Sequence, residues 1–454
     1  MRFIPTEDQL ILIEKLASFI VNSDDDFIFL VKGYAGTGKT LVMGALVGAL
    51  NEIGIKTVLA APVGRAAKIM SNYSGFPATT IHKKIYRQKT VDDNFGIFLT
   101  DRNLHSDAVF IVDEASMISG ESYESSNFGS GNLLDDLMSY VKSGKRCKLI
   151  LSGDTAQLPP IGLSTGPALD VDRLRYYGGV VEAELKEVVG QEADSGILYN
   201  ACLIRNMIER DSTSFPDFKI SGYKETESIN GSDLIEAVSD AYSKYGIEET
   251  IILCRSNKRA VRYNQGVRRS VLYMEEELET GDKIMIVKNN YSVKDNESFD
   301  FIANGDTARV KRIKKYREMY GMRYADVSLI LEDYNSEIDT EIILDTLNMD
   351  GASLSAEKSK ELFHGIAEDY SHIKDKRKRF KTMRNDRYFN ALQVKFAYAV
   401  TCHKAQGGRW KCVFLDNPFS GNDVTTADLR WLYTAVTRAS EKLYLVNFDK
   451  KYLK

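Results

Sequence analysis

The segment Gly33-Tyr34-Ala35-Gly36-Thr37-Gly38-Lys39-Thr40 admits few folds. It follows a continuous apolar run, Phe27–Val31, and precedes a helical pattern over Leu41–Ile53. A short run that is apolar on both faces is the mark of a strand buried inside a parallel sheet. Between such a strand and a helix, the spacing GxxxxGK[ST] lets backbone N–H groups converge where side chains would intrude. The helix N-terminus adds partial positive charge, so loop and helix together make a cradle for phosphate. Gly33, Ala35, Gly36, Thr37 and Gly38 form the cradle, Lys39 reaches the β- and γ-phosphates of ATP, and Thr40 offers its hydroxyl to Mg2+.

Similar apolar runs recur at Thr57–Ala61, Val109–Val112, Leu149–Leu151, Ile251–Cys254, Phe396–Val400, Val413–Leu415 and Leu443–Val446. Helical patterns between them, such as Leu133–Lys142, predict an α/β protein with parallel sheets. A chain of 454 residues has room for two to four domains. No run approaches the roughly 18 apolar residues of a membrane helix. The five cysteines are scattered without a CxxC pair, so neither a disulfide framework nor a zinc site is expected, and a reducing cytoplasm is.

Charge is balanced overall, 60 Lys+Arg against 64 Asp+Glu, which argues against binding nucleic acid through bulk positive charge. It is unevenly spread. Arg309–Arg323 holds seven basic residues and one acidic, Glu332–Asp350 seven acidic and no basic, and Lys374–Arg387 eight basic and two acidic. Together with alternating segments at Thr307–Ile313 and Ala325–Leu331, this marks the region at roughly 290–385 as compositionally separate, an insertion of small antiparallel β structure within a second sheet.

Two further strand ends carry chemistry. Val109–Val112 runs into Asp113-Glu114, which sets Asp113 beside the metal and Glu114 toward the γ-phosphate, where a carboxylate can deprotonate the attacking water. Leu149–Leu151 runs into Gly153-Asp154-Thr155-Ala156-Gln157, and Gln157 can sense the γ-phosphate through its amide.

In order, GYAGTGKT, AAPVGRAAK (Ala60–Lys68), TIH (Thr80–His82), VDEAS (Val112–Ser116), GDTAQLPP, the HKAQG of His403–Gly407 and AVTRA (Ala435–Ala439) resemble the motifs of superfamily 1B helicases of the RecD-like and PIF-type branch. The resemblance runs from Gln9 to Arg438. It implies two tandem RecA-like P-loop motor domains with ATP between them, a β-hairpin wedge and an SH3-like insertion. The first motor would span 1–180, with the wedge at 83–107. The second would take 181–290 and 386–454, with the insertion at 291–385.

The resemblance further implies a DNA-stimulated ATPase that moves 5′-to-3′ on single-stranded DNA and opens duplex, with ATP and Mg2+ as cofactors. Gln9 would read the adenine, Gln406 and Gly407 would line the nucleotide site, and Arg438 would touch the γ-phosphate. Pro62, Arg65, Thr80, His82, Arg255, Asn257, Thr401 and His403 would contact the strand, and Phe95 or Phe98 would abut the last base pair. Expected partners are single-stranded DNA and single-/double-strand junctions, not membrane. The chain is expected to act as a monomer on DNA, with replication or repair proteins, in a bacterial cytoplasm or a phage-infected cell.

Two positions depart from the motifs. Gly190 stands where a second γ-phosphate arginine belongs, a role that another residue such as Arg205 would have to take, and Val63 replaces a threonine. The Gly190 departure supports an alternative: an ATP-gated single-stranded DNA clamp, or a protein-displacing translocase, with weak hydrolysis.

Overall fold

The alternation of side chains along each early strand decides how the first half of the chain packs. Ile28 and Leu30 face one layer while Phe29 and Val31 face the other, and all four are fully buried. This computed structural model describes residues 5–22, 26–88, 98–120, 128–189, 195–290, 301–332, 334, 336–383, 385–419 and 423–454. In chain order its strands begin with β1 (Asp26–Gly33), β2 (Lys56–Ala61), β3 (Ala78–Thr80), β4 (Tyr86–Gln88), β5 (Phe98–Thr100) and β6 (Ala108–Val112). Next come β7 (Lys148–Gly153), β8 (Gly179–Leu185), β9 (Thr226–Ile229), β10 (Thr250–Cys254), β11 (Lys283–Ile286) and β12 (Thr307–Met319). The last are β13 (Met322–Leu331), β14 (Ser336–Ile343), β15 (Leu392–Phe396), β16 (Ala399–Thr401), β17 (Trp410–Asp416) and β18 (Ala439–Val446).

The first sheet is parallel in the order β3-β2-β6-β7-β1-β8. Helices Glu7–Val21, Lys39–Glu52 and Gly64–Ser74 cover one face through Leu12, Val42 and Met70, and helix Leu133–Lys142 covers the other through Leu134, Leu137 and Val141. Helices on both faces are what a sheet apolar on both sides requires. The sheet extends to Leu185, past the expected seam at 180, because β8 pairs along the whole of β1.

The second sheet, β16-β10-β17-β18-β9, is also parallel. Helices Gly196–Glu209 and Thr426–Val436 cover the face that holds Leu253, Val413 and Leu445. Its other face shares one core with a closed barrel, β11-β12-β13-β14-β15, in which Ile284, Val310, Val327 and Val394 are buried. The barrel therefore draws strands from outside 291–385: it closes only because β11 and β15, on either side of that span, pair with each other. Helices Ala356–Asp369 and Lys376–Met383 pack on its end around Tyr324 and Ile366. β4 and β5 form a separate antiparallel pair.

The single strand expected over Phe396–Val400 is two. β15 ends at Phe396 in the barrel and β16 starts at Ala399 in the second sheet. Buried Asn264 makes the break: its amide donates to the carbonyls of Phe396 (3.1 Å) and Ala399 (2.8 Å) and accepts from the N–H groups of Tyr398 (2.9 Å) and Ala399 (2.8 Å). One side chain thus replaces the ladder partners that the kink removes.

Candidate active site and nucleic-acid channel

The glycine-rich loop leaves β1 and turns into helix Lys39–Glu52, with Gly36 and Gly38 both at φ +80°. A Cβ on Gly38 would lie 2.5 Å from Gln9 Nε2, so only glycine fits the cradle there. The Lys39 ammonium donates to the carbonyls of Gly33 (2.5 Å) and Tyr34 (2.8 Å), and the Thr37 hydroxyl closes the loop onto Tyr34. Thr40, Asp113 and Glu114 face this loop in a cleft of about 430 Å³, whose far wall is Gly407, Gly408, Thr437 and Arg438 of the second sheet's side.

Glu114 has φ +54°, a left-handed conformation rare for a non-glycine residue, and its N–H donates to Asp113 Oδ1 at 2.9 Å. Burial raises the Glu114 pKa, and the positive charges of Arg438 and Lys39 oppose that rise. A carboxyl group held between these influences suits a general base. Arg438 is 5% exposed, and its guanidinium donates to the carbonyls of Thr434 and Gly408, both at 3.0 Å, which aims it into the cleft. Gln157 also lines the cleft, buried, and its Oε1 makes no hydrogen bond among the described residues. The donor set fits a nucleotide with Mg2+. Thr40 and Asp113, both in the cleft lining, would supply two oxygen ligands to such an ion, and among the described residues no cluster of three His, Cys, Asp or Glu could hold an ion without the phosphates.

A second cavity, about 340 Å³, lies between both sheets and the barrel. Pro62, Arg65, Thr80 and His82 line it from the first sheet, Gln406, His403 and Lys404 from the second, and Phe301 and Asn304 from the barrel's approach. Thr80 caps its short helix by accepting from the Lys83 N–H at 3.2 Å. His82 sits among Phe128, Tyr86 and Phe301, and burial pulls its pKa down to about 4. Arg65 stacks on Trp410 at 3.9 Å and donates to the Arg409 carbonyl at 3.2 Å, so it also bridges the two motors. Burial lowers His403 and brings Lys404 down to about 8.

Several expected residues stand elsewhere. Gln9 is fully buried outside the cleft lining: its Oε1 accepts from the Thr6 N–H in a helix capping box and its Nε2 donates to the Thr37 carbonyl at 2.9 Å. It braces the loop, with both ends of its amide engaged. Gln406 belongs to the channel and not to the nucleotide cleft, because its Nε2 reaches back to the Leu158 carbonyl at 2.7 Å. Arg255 is ion-paired with Asp428, and neither it nor Asn257 nor Thr401 lines the channel. Phe98 is 1% exposed and packs on Phe128 and Phe301, so it anchors the base of the β4–β5 pair and cannot meet a base pair. Phe95 and Gly190 lie outside the described residues. Arg205 stacks its guanidinium on Tyr34 at 4.8 Å, one helical turn beyond the cleft-lining Ala201.

Lys283, Phe301, Asn304 and Trp410 also line the channel, though none lies in a motif. Asn304 belongs to the dipeptide Asn304-Gly305, a local signal for a tight turn and not for a ligand.

A family model for an AAA domain matches residues 7–206, and one for a UvrD-like helicase C-terminal domain matches 396–446. An uncharacterised protein of Acanthamoeba polyphaga mimivirus is 24% identical over 96% of this chain and 98% of its own. The ATP-dependent RecD2 DNA helicase of Deinococcus radiodurans is 28% identical over 35% of this chain and 20% of its own length. An archaeal relative from Methanocaldococcus jannaschii is matched over only 37% of its length. The structure of a Pif1 helicase from Bacteroides in complex with ADP-AlF3 and ssDNA is 15% identical, with 100% of this chain and 95% of that one covered at a TM-score of 0.48. The two domain matches fall where the phosphate-loop motifs and the AVTRA segment fall, so the chain is similar to an AAA domain in its first half and to a UvrD-like helicase C-terminal domain near its end.

Proposed function

We propose that the chain hydrolyses ATP, with Mg2+, to move 5′-to-3′ along single-stranded DNA and to open duplex ahead of it. The observation that carries this reading is that both cavities lie on one seam. Helix Gly64–Ser74 and the Gln406–Arg409 turn contribute to the nucleotide cleft on one side and to the channel on the other. A change of gap at that seam alters both sites together, which is what a motor needs: nucleotide must favour one inter-motor arrangement for its turnover to move the strand.

In the cleft, Lys39 and the loop N–H groups hold the phosphates, and Glu114 orients the attacking water and takes its proton. Arg438 meets the charge that develops on the transferring phosphoryl, a contribution of about 10³–10⁵ in rate in other nucleotidases. In the channel, neutral His82 and the ring of Phe301 offer faces on which bases stack at about 1–3 kcal/mol each.

The test is unwinding of oppositely tailed duplexes with ATP. Opening of 5′-tailed but not 3′-tailed duplex supports the proposal, and the reverse overturns the polarity. Tight DNA binding with hydrolysis at background would instead leave an ATP-gated clamp. Lys39→Ala is expected to abolish hydrolysis while DNA binding stays measurable, because its ammonium serves the loop and not the channel; loss of nucleotide-free DNA binding in that variant would count against the division into two cavities.

A further inference from the structure

Helix Thr426–Val436, which leads directly to Arg438, is tied to two loops of the first motor by buried hydrogen bonds. The Tyr433 hydroxyl accepts from the Ala35 N–H of the phosphate loop at 2.8 Å and donates to Asp154 Oδ2 at 2.7 Å. The other carboxylate oxygen, Asp154 Oδ1, accepts from the Ala156 N–H at 2.9 Å. On the far side of Gln157, the Leu158 N–H donates to Thr434 Oγ1 at 2.8 Å, and Gln406 holds the Leu158 carbonyl. Gln157 is therefore bracketed by two residues whose backbones are held from the second motor, directly or through Asp154.

Asp154 and Tyr433 are each 1% exposed, and Tyr34, Ala156, Leu158 and Tyr433 belong to one apolar cluster. A carboxylate buried there is costly unless bonded, so the phenol is not an incidental neighbour. Burial raises the Tyr433 pKa well above its ordinary 10, which keeps the proton on the phenol as the donor to Asp154. The bonds run in one direction, from amide to phenol to carboxylate, and each polarises the next. Tyr433 does not line the nucleotide cleft, so its action is through Ala35 and Asp154. A shift of the loop backbone at Ala35 either drags Tyr433 or breaks the link, and both disturb the segment that carries Gln157.

We propose that Tyr433 is a positioning residue that couples the state of the phosphate loop to the docking of the second motor and to the placement of Gln157. This role rests on the motor reading above. Tyr433→Phe keeps the ring and removes the relay. In the full chain, DNA-stimulated kcat is expected to fall about tenfold, while the DNA-free rate and the KM for ATP change less than about twofold. Asp154→Asn is expected to act alike, since a single carboxamide oxygen cannot serve both Ala156 and Tyr433. The double variant is then no worse than either single.

A lowered melting temperature with unaltered DNA stimulation would make the link merely structural and overturn the proposal. Equal loss of DNA-free and DNA-stimulated rates would overturn it too, by placing Tyr433 in the chemistry of the loop. If Tyr433→Phe does not fold, Asp154→Asn reads the same link with the same two outcomes. A wild-type chain without DNA stimulation would defeat the motor reading itself, whereas a stimulated wild type with unaltered variants defeats only the role of Tyr433.

Discussion

His82 shows what burial does to one ring. Its centroid lies 4.9 Å from that of Phe128 and 5.6 Å from that of Tyr86, and in that setting its pKa falls from 6.5 to about 4. At neutral pH it presents a neutral face to the channel and adds no charge. The unfolded chain takes up this proton near pH 6.5 and the folded chain only near 4. Between those values the unfolded state holds more protons, so folding stability falls as pH drops through the window. His105 and His403 shift in the same direction, so the contribution of His82 is read as a difference between proteins. From pH 6.5 to 4, wild type is expected to lose more melting temperature than His82→Phe, measured by thermal melts across that range; parallel curves would refute it. The motif TIH flagged His82, but its partners Phe128 and Phe301 come from distant segments that no local pattern connects to it.

At the scale of elements, two junctions decide the geometry. Asn264 holds the kink between β15 and β16 with four hydrogen bonds. Asn264→Leu leaves two buried carbonyls and two buried N–H groups without those bonds. The expected loss is about 2–4 kcal/mol, read by urea or guanidinium unfolding. Gly407 holds the seam. At φ +71°, a Cβ there would sit 2.9 Å from Val63 Cγ2 and 3.0 Å from Ala66 Cβ, across the gap between the motors. Gly407→Ala is expected to prise the seam and lower kcat for ATP about tenfold, with partial recovery in the Val63→Ala double variant, by steady-state kinetics. Gly407 was legible as part of HKAQG, whereas Asn264 was not: an asparagine inside helix Asn257–Ser270 carries no sign that a strand 130 residues later will need its amide.

For the whole molecule, net charge bears on salt dependence. Among cations, Arg65, Lys283 and Lys404 line the channel; Arg65 is stacked on Trp410 and Lys283 is paired with Glu248. With Lys283 held by Glu248, about two to three phosphates are neutralised, and log K for single-stranded DNA is expected to fall with log salt at a slope of about −1.5 to −2. Lys404 titrates near 8, so the slope should become shallower as pH rises from 7 to 9, measured by fluorescence anisotropy at several salt concentrations. A slope steeper than about −5 would place the strand on the exposed basic runs instead.

The near-neutral total, 60 against 64, is therefore compatible with the proposed nucleic-acid role, because the channel has few charges and many neutral faces. What the chain determines by itself is whatever depends on neighbours in sequence. The strand-loop-helix phosphate cradle, the Asp113-Glu114 strand end, the α/β layering and the order of the motifs all follow from local spacing and from apolar runs that must be buried on both faces. What tertiary structure decided is whatever depends on distant partners. These are the diversion of Gln9 and Gln406 to bracing, the burial of Phe98, the closure of the barrel by β11 and β15, and the link from Ala35 through Tyr433 to Asp154. Each turns on a hydrogen bond or a contact between residues tens to hundreds of positions apart. Such partners are chosen by the packing of the finished core, and no periodicity along the chain records them.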